Sequence, residues 1–188
     1  MPAMWPVAES ILNQWFEGFG EGGDQQSFGA DTASQIASAY DTAIKTASIV
    51  GKGNIVSGGV IIPSIESGFA ACFAQMASTP VNLSIAPYML AATGVVSAWA
   101  APVYIPLPPH PPCIAPTVGV QQLFPGAPMP LGVEIMDAFT QEDASRIAPL
   151  LIKAFKNHLK QITGIYLGLI PAAPSPVPSP PLPWVGVE

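Results

Sequence analysis

The chain has 188 residues, of which 49% are hydrophobic and 10% charged, with a net charge of −6. That length fits one domain with a real core, while a charged fraction so far below the roughly 25% usual in soluble domains argues against a solitary monomer in water. Six basic residues are too few to neutralise a phosphate backbone, so no nucleic acid partner is expected.

The first residues, Met-Pro-Ala-Met-Trp-Pro, have neither a basic start nor a continuous apolar run, and no secretory signal is expected. From Trp5 and Pro6 a helix is predicted, because proline suits a first turn and Ile11, Leu12, Trp15, Phe16 and Phe19 recur at helical spacing. Gly18, Gly20, Gly22 and Gly23 are expected to end it as a linker; with no preceding strand and no GK[ST] they do not read as a phosphate loop. A second helix is predicted from Asp31, which suits an N-cap. Ile36, Tyr40, Ile44 and Ala47 form its inner face, and Ala33, Ala37, Ala39 and Ala43 allow a neighbour close approach. The glycine-bracketed piece 54–57 reads as a brief strand or a loop.

No Asp, Glu, Lys or Arg occurs between Ser67 and Val133. Charged side chains are almost never fully buried, so their absence over about a third of the chain predicts a stretch not meant to face bulk water. Two helices are expected around it. Residues 61–73 share a pattern with 147–159: Ile61, Pro63, Ile65, Phe69 and Phe73 match Ile147, Pro149, Leu151, Phe155 and Leu159. Duplication and chance recurrence of an i, i+4 apolar stripe after a helix-starting proline explain this equally well. Residues 84–101 read as a further helix with Pro87 near its start, Pro102 as its stop and a small-residue surface at Ala91, Ala92, Gly94, Ala98 and Ala100.

From 102 to 130 prolines arrive every few residues, interleaved with Val103, Tyr104, Ile105, Leu107, Ile114, Val118, Leu123 and Phe124. Prolines exclude a helix and favour extended polyproline conformation, and the apolar content is unlike that of a disordered linker. The segment is expected to lie clamped along a surface. A helix is predicted from Leu131 to Phe139, breaking near Thr140 and restarting at Gln141 or Asp143 into 146–163, where Lys153, Lys156 and Lys160 form a solvated face. Residues 171–188 read as a proline-rich arm ending in Leu182 and Trp184.

Candidate chemistry is sparse. His158 reads as a helix-face histidine. His110 and Cys113 offer two metal-ligand types but, with Cys72 and His158, a poor route to the four a structural zinc needs. Cys72 and Cys113 are expected to be free thiols. Glu134, Asp137, Glu142 and Asp143 cluster where helix N-termini attract acids, and no hydrolase, zincin or CxxC motif is present. Catalytic, cofactor and metal residues are therefore expected to be absent. Apolar segments 68–77 and 87–101 are short of the roughly 20 residues a membrane helix needs, and no Lys or Arg flanks them.

Few charges, short alanine-rich helices, long apolar proline straps and no reaction motif together resemble the virion structural proteins of tailed bacteriophages, especially small subunits of neck, tail, baseplate or capsid. The resemblance lies in character over the whole length, and no residue is carried across by position. It implies a ring or lattice subunit of the virion, assembled in host cytoplasm, with other copies of itself and other structural subunits covering 67–133. The expectation is thus a mainly α protein: one domain over 1–170 of about five helices, a strap inserted at 102–130, and a C-terminal arm at 171–188. Its function would be non-enzymatic and structural, with Tyr104, Ile105, Leu107, Phe124, Leu182 and Trp184 as contact residues. The alternative is a small membrane-active protein of lysis or pore type.

Overall fold

Trp5 and Pro6 open helix α1 (Trp5–Phe19), as the apolar period predicts. Ala8, Leu12 and Phe16 turn inward, while Ser10, Gln14 and Glu17 face out. The computed structural model describes residues 3–19, 25–49, 53–54, 62–78, 84–100, 115–116, 123–166, 168–178 and 180–188. Helix α2 (Gln25–Ile44) begins earlier than Asp31, which lies inside it and does not cap it. Gly29 lies within it and packs closely: a Cβ there would lie 3.3 Å from the Cβ of Phe73.

Helix α2 forms the middle of the fold. Ala33, Ile36, Ala37, Ala39, Tyr40, Ala43 and Ile44 have no accessible surface, and α2 packs against both α1 and α3. Strands β1 (Ser48–Ile49) and β2 (Gly53–Asn54) follow as a small antiparallel pair, placing the start of the glycine-bracketed piece in a strand.

Helices α3 (Ile62–Ser78) and α4 (Ala86–Ala100) make the most extensive contact among the described elements. They cross at two glycines. A Cβ on Gly68 would sit 2.8 Å from Gly94 Cα, and one on Gly94 would sit 2.6 Å from Ser64 O. The Ser84 hydroxyl accepts the Ala86 N–H at 3.2 Å and helps start α4.

After β3 (Ala115–Pro116) and β4 (Leu123–Phe124), helix α5 (Pro128–Phe139) runs against α4, with Gly132 opposite Met89. Asp143 accepts from the Ser145 N–H and hydroxyl at 3.0 and 2.7 Å, capping a 3-10 turn (Ala144–Arg146) that leads into α6 (Ile147–Gln161). Of the two predicted restart positions, Asp143 is the one used.

Buried aromatic rings tie these helices together. Tyr40 meets Phe155 edge-on at 4.9 Å, Phe155 meets Phe69 at 6.3 Å, and Phe73 meets Phe139 at 5.4 Å. The Trp99 indole N–H donates to Tyr40 Oη at 2.7 Å, joining α4 to α2 through a buried hydrogen bond. Burial pushes the Tyr40 hydroxyl well above its ordinary value, so it remains protonated. Of the matched positions Ile65, Phe69 and Phe73 on α3 and Leu151, Phe155 and Leu159 on α6 are buried, with the Phe69 and Phe155 rings 6.3 Å apart, whereas Pro63 and Pro149 are exposed and Ile61 lies outside the described residues; a shared core accounts for the apolar part of the pattern whatever its ancestry.

Beyond α6 come β5 (Thr163–Tyr166), β6 (Gly168–Ile170), β7 (Val177–Pro178) and β8 (Leu182–Val185). They form two antiparallel sheets of order β3-β6-β7 and β4-β5-β8. The protein is mainly helical, as expected, with six α-helices among the described residues. The strands of the C-terminal part depart from the expectation of a plain proline-rich arm.

Candidate subunit-contact surfaces

The described part of the charge-free stretch has two unlike sides. On the inner side Phe69, Cys72, Phe73, Ala91, Ala92, Val95, Ala98 and Trp99 are buried by packing of α3 and α4 with each other and with α2 and α5. The stretch is expected to be covered by the chain itself, by other chains or by lipid; for the inner side of its described part the chain's own helices do so. On the outer side Ser67, Ala71, Ala74, Met76, Ala77 and Ser78 of α3 are exposed, as are Ala86, Leu90, Thr93 and Ser97 of α4 and Met129, Pro130 and Val133 of α5. No charge stands among them. The solvent side of α6, by contrast, carries Lys153, Lys156 and Lys160, as an amphipathic surface helix ordinarily does.

Tyr104, Ile105 and Leu107 lie outside the described residues. Phe124 is in β4 and 55% exposed. Leu182 and Trp184 are in β8, so the sheet β4-β5-β8 brings three of the six expected contact residues to its two outer strands. Across β5, Phe124 pairs with Thr163 and Thr163 with Val185, while Trp184 pairs with Gly164 and Leu182 with Tyr166.

The arm's end is fastened to the body. The Gly186 N–H donates to Ile162 O at 2.8 Å, the Val187 N–H donates to Leu159 O at 3.0 Å, and Val187 is 3% exposed. Because backbone donors two apart in a strand face the same way, the Gly186 bond puts Pro183, three residues earlier, on the side turned away from β5. There a missing N–H costs no ladder bond, and proline discourages further strands from adding to the edge. Beside this seat is a cavity of about 390 Å³ lined by Ala3, Trp5, Leu159, Val185, Gly186 and Val187, with Lys156, Lys160 and Glu188 also bordering it.

His158 is buried on α6, and its Nε2 lies 2.7 Å from Pro125 O. A carbonyl can only accept, so Nε2 carries the hydrogen, leaving Nδ1 buried and without a partner among the described residues. Burial lowers the pKa of this histidine, against a smaller opposing effect from the Pro125 carbonyl. His158 therefore pins the segment after β4 to α6 in its neutral form. Three of the clustered carboxylates also have structural partners: Glu134 accepts both hydrogen bonds of Asn157 Nδ2, at 3.0 and 3.2 Å, Asp137 accepts from Gln141 Nε2 at 3.5 Å, and Asp143 caps the turn before α6. Serine hydrogen bonding holds the Asp143 carboxyl below its usual range.

Cys72 is a free thiol, and burial pushes its pKa up to about 12, so it stays protonated at neutral pH, unlike an activated nucleophile. Cys113 and His110 lie outside the described residues. Among the described residues no group of three or more His, Cys, Asp and Glu is placed to hold a metal ion, and no helix is long and apolar enough to cross a membrane.

The seat around Val187 and Leu159 is not foreseen from the sequence. The available signal is Thr163, Ile165 and Tyr166, residue types that favour strands. No protein-family model, no curated protein and no solved structure matches this chain.

Proposed function

We propose that this chain is a non-enzymatic structural subunit of a large protein assembly, of the kind found in the neck, tail, baseplate or capsid of a tailed-bacteriophage virion, with other copies of itself and other structural subunits as neighbours. The observation that carries the reading is the outer side of α3, α4 and α5. Its exposed positions from Ser67 to Val133 hold Ala, Ser, Thr, Leu, Met, Pro and Val, and no charge. A monomer that stays apart from its copies ordinarily places Lys and Glu at many such positions; here the nearest exposed charge on these helices is Asp137, one turn beyond Val133, and uncharged exposed surface is where something else can pack. The small side chains also permit close helix contact, as Gly68 and Gly94 do within the chain.

The virion assignment rests on the resemblance in overall character; the subunit assignment rests on the surface. Aromatic side chains in pockets typically dominate such interfaces, at about 2 kcal/mol or more each when truncated. Phe124, 55% exposed, is the described aromatic best placed for this role.

A lipid surface is the other environment that accepts a charge-free face. One experiment separates the two: light scattering coupled to size-exclusion chromatography without detergent, beside flotation with phosphatidylcholine and phosphatidylglycerol vesicles. The subunit reading expects a soluble mass several times that of one chain and no flotation. Vesicle-bound protein would favour the membrane reading, and a concentrated soluble monomer that does not float would contradict both.

A further inference from the structure

The geometry points to strand exchange: in the assembly β8 of one copy occupies the β5 groove of the next copy, remaking there the contacts it makes within its own chain. This inference rests on the subunit reading and names the partner of the arm as a second copy.

The structure already states what fits the groove. β5 receives β8 over four residue pairs, from Thr163 with Val185 to Tyr166 with Leu182. The Gly186 and Val187 amides then bond Ile162 O and Leu159 O, and Val187 is buried. These contacts run between residues 182–187 and one part of the body, β5 and the end of α6 with Ala3 and Trp5 nearby, so the same segment of a neighbour satisfies the same groups equally well. That equivalence makes exchange of an identical element a low-cost route to association.

The connection allows it. Residues 171–178, 180 and 181 are all exposed, so their side chains do little to hold the arm to its own body. Its sequence, Pro-Ala-Ala-Pro-Ser-Pro-Val-Pro-Ser-Pro-Pro, favours an extended path, about 34 Å over these residues at about 3.1 Å each. Among the described residues, the strand ladder given up on opening is the short one of β7 on β6, Leu169 with Pro178 and Ile170 with Val177. For a dilute chain the tether keeps β8 at home, at an effective concentration of millimolar order; neighbours held in a ring or lattice compete at comparable local concentration.

The test uses two full-length single variants, Thr163→Cys and Val185→Cys, each also carrying Cys113→Ser. Positions 163 and 185 are paired across the ladder. Each chain then carries only one of the two introduced thiols, so in the mixture a disulfide joining position 163 to position 185 can form only between chains. The two variants are mixed, unfolded, refolded together at high concentration and oxidised mildly. Exchange predicts a disulfide-linked dimer whose peptide map joins 163 to 185, absent from either variant alone. If assemblies form by light scattering but contain no 163–185 link, exchange is overturned and the subunit reading stands. If wild-type protein remains monomeric, both fall. Should a variant fail to refold, co-expression of the two chains replaces refolding, with the same decisive peptide.

Discussion

At Gly94 the space for a side chain is already filled: a Cβ would lie 2.6 Å from Ser64 O and 2.8 Å from Gly68 Cα, both backbone atoms that cannot turn aside. Gly94→Ala is expected to lower stability by about 1–3 kcal/mol, the usual cost of overpacking, read from the urea midpoint. Gly18→Ala, where nothing lies within 4 Å, should show no loss. His158 gives a second residue-scale test. Its folded pKa is lowered by burial, so as pH falls through about 6.5 the unfolded chain takes up the proton first. Stability due to the neutral ring is complete above that pH and declines below it, toward the folded pKa. The wild type should lose stability between pH 7 and 5.5, and His158→Gln, which cannot titrate, should show a flatter profile over that window. Residues of this kind are half legible in the sequence. Gly94 reads as a close-approach position, but its partner Gly68 does not, because the crossing depends on how two helices meet.

Among the elements, helices announce themselves and strands do not. Ile11, Leu12, Trp15 and Phe16, or Leu151, Phe155 and Leu159, repeat on one face because each stripe must meet the same core. Strands β5 and β8 span four residues each, too short for a clear alternation. Pro183 also disguises β8 as polyproline, although an edge strand tolerates proline where its missing N–H faces away from the ladder. Even Gly29, which reads as lying ahead of the second helix, falls within α2, where Phe73 packs closely on it. Of the proposed contact residues, Phe124, Leu182 and Trp184 stand out by their proline-rich surroundings; that one sheet gathers them depends on pairing between strands distant in sequence. Deleting residues 174–188 removes β8 and the Val187 seat while leaving all six helices, so helical circular dichroism should persist. The thermal midpoint should fall by several degrees, since about 1 kcal/mol moves it by about 2–8 °C in domains of this size range, and assembly should be impaired. Retained assembly together with an unchanged midpoint would show that the arm does neither job.

For the molecule as a whole, the absence of charge from 67 to 133 has two physical sources, and the sequence alone does not separate them. Phe69, Val95 and Trp99 lack charged neighbours in sequence because they form the core that α2 helps close. Ala71, Ala74, Thr93 and Ser97 also lack them, yet face outward, and packing among the described residues gives no reason for that. Neighbouring subunits are proposed to cover this side. The most direct test is sedimentation velocity, without detergent, of the wild type beside an Ala71→Glu/Thr93→Glu double variant. Both positions are exposed and helical, so the variant should keep its fold and its circular dichroism, with a stability change within about 0.5 kcal/mol. The account predicts that the wild type sediments as an oligomer and the variant as a monomer; a wild type that is monomeric at high concentration, or a variant that assembles as well as the wild type, would contradict it.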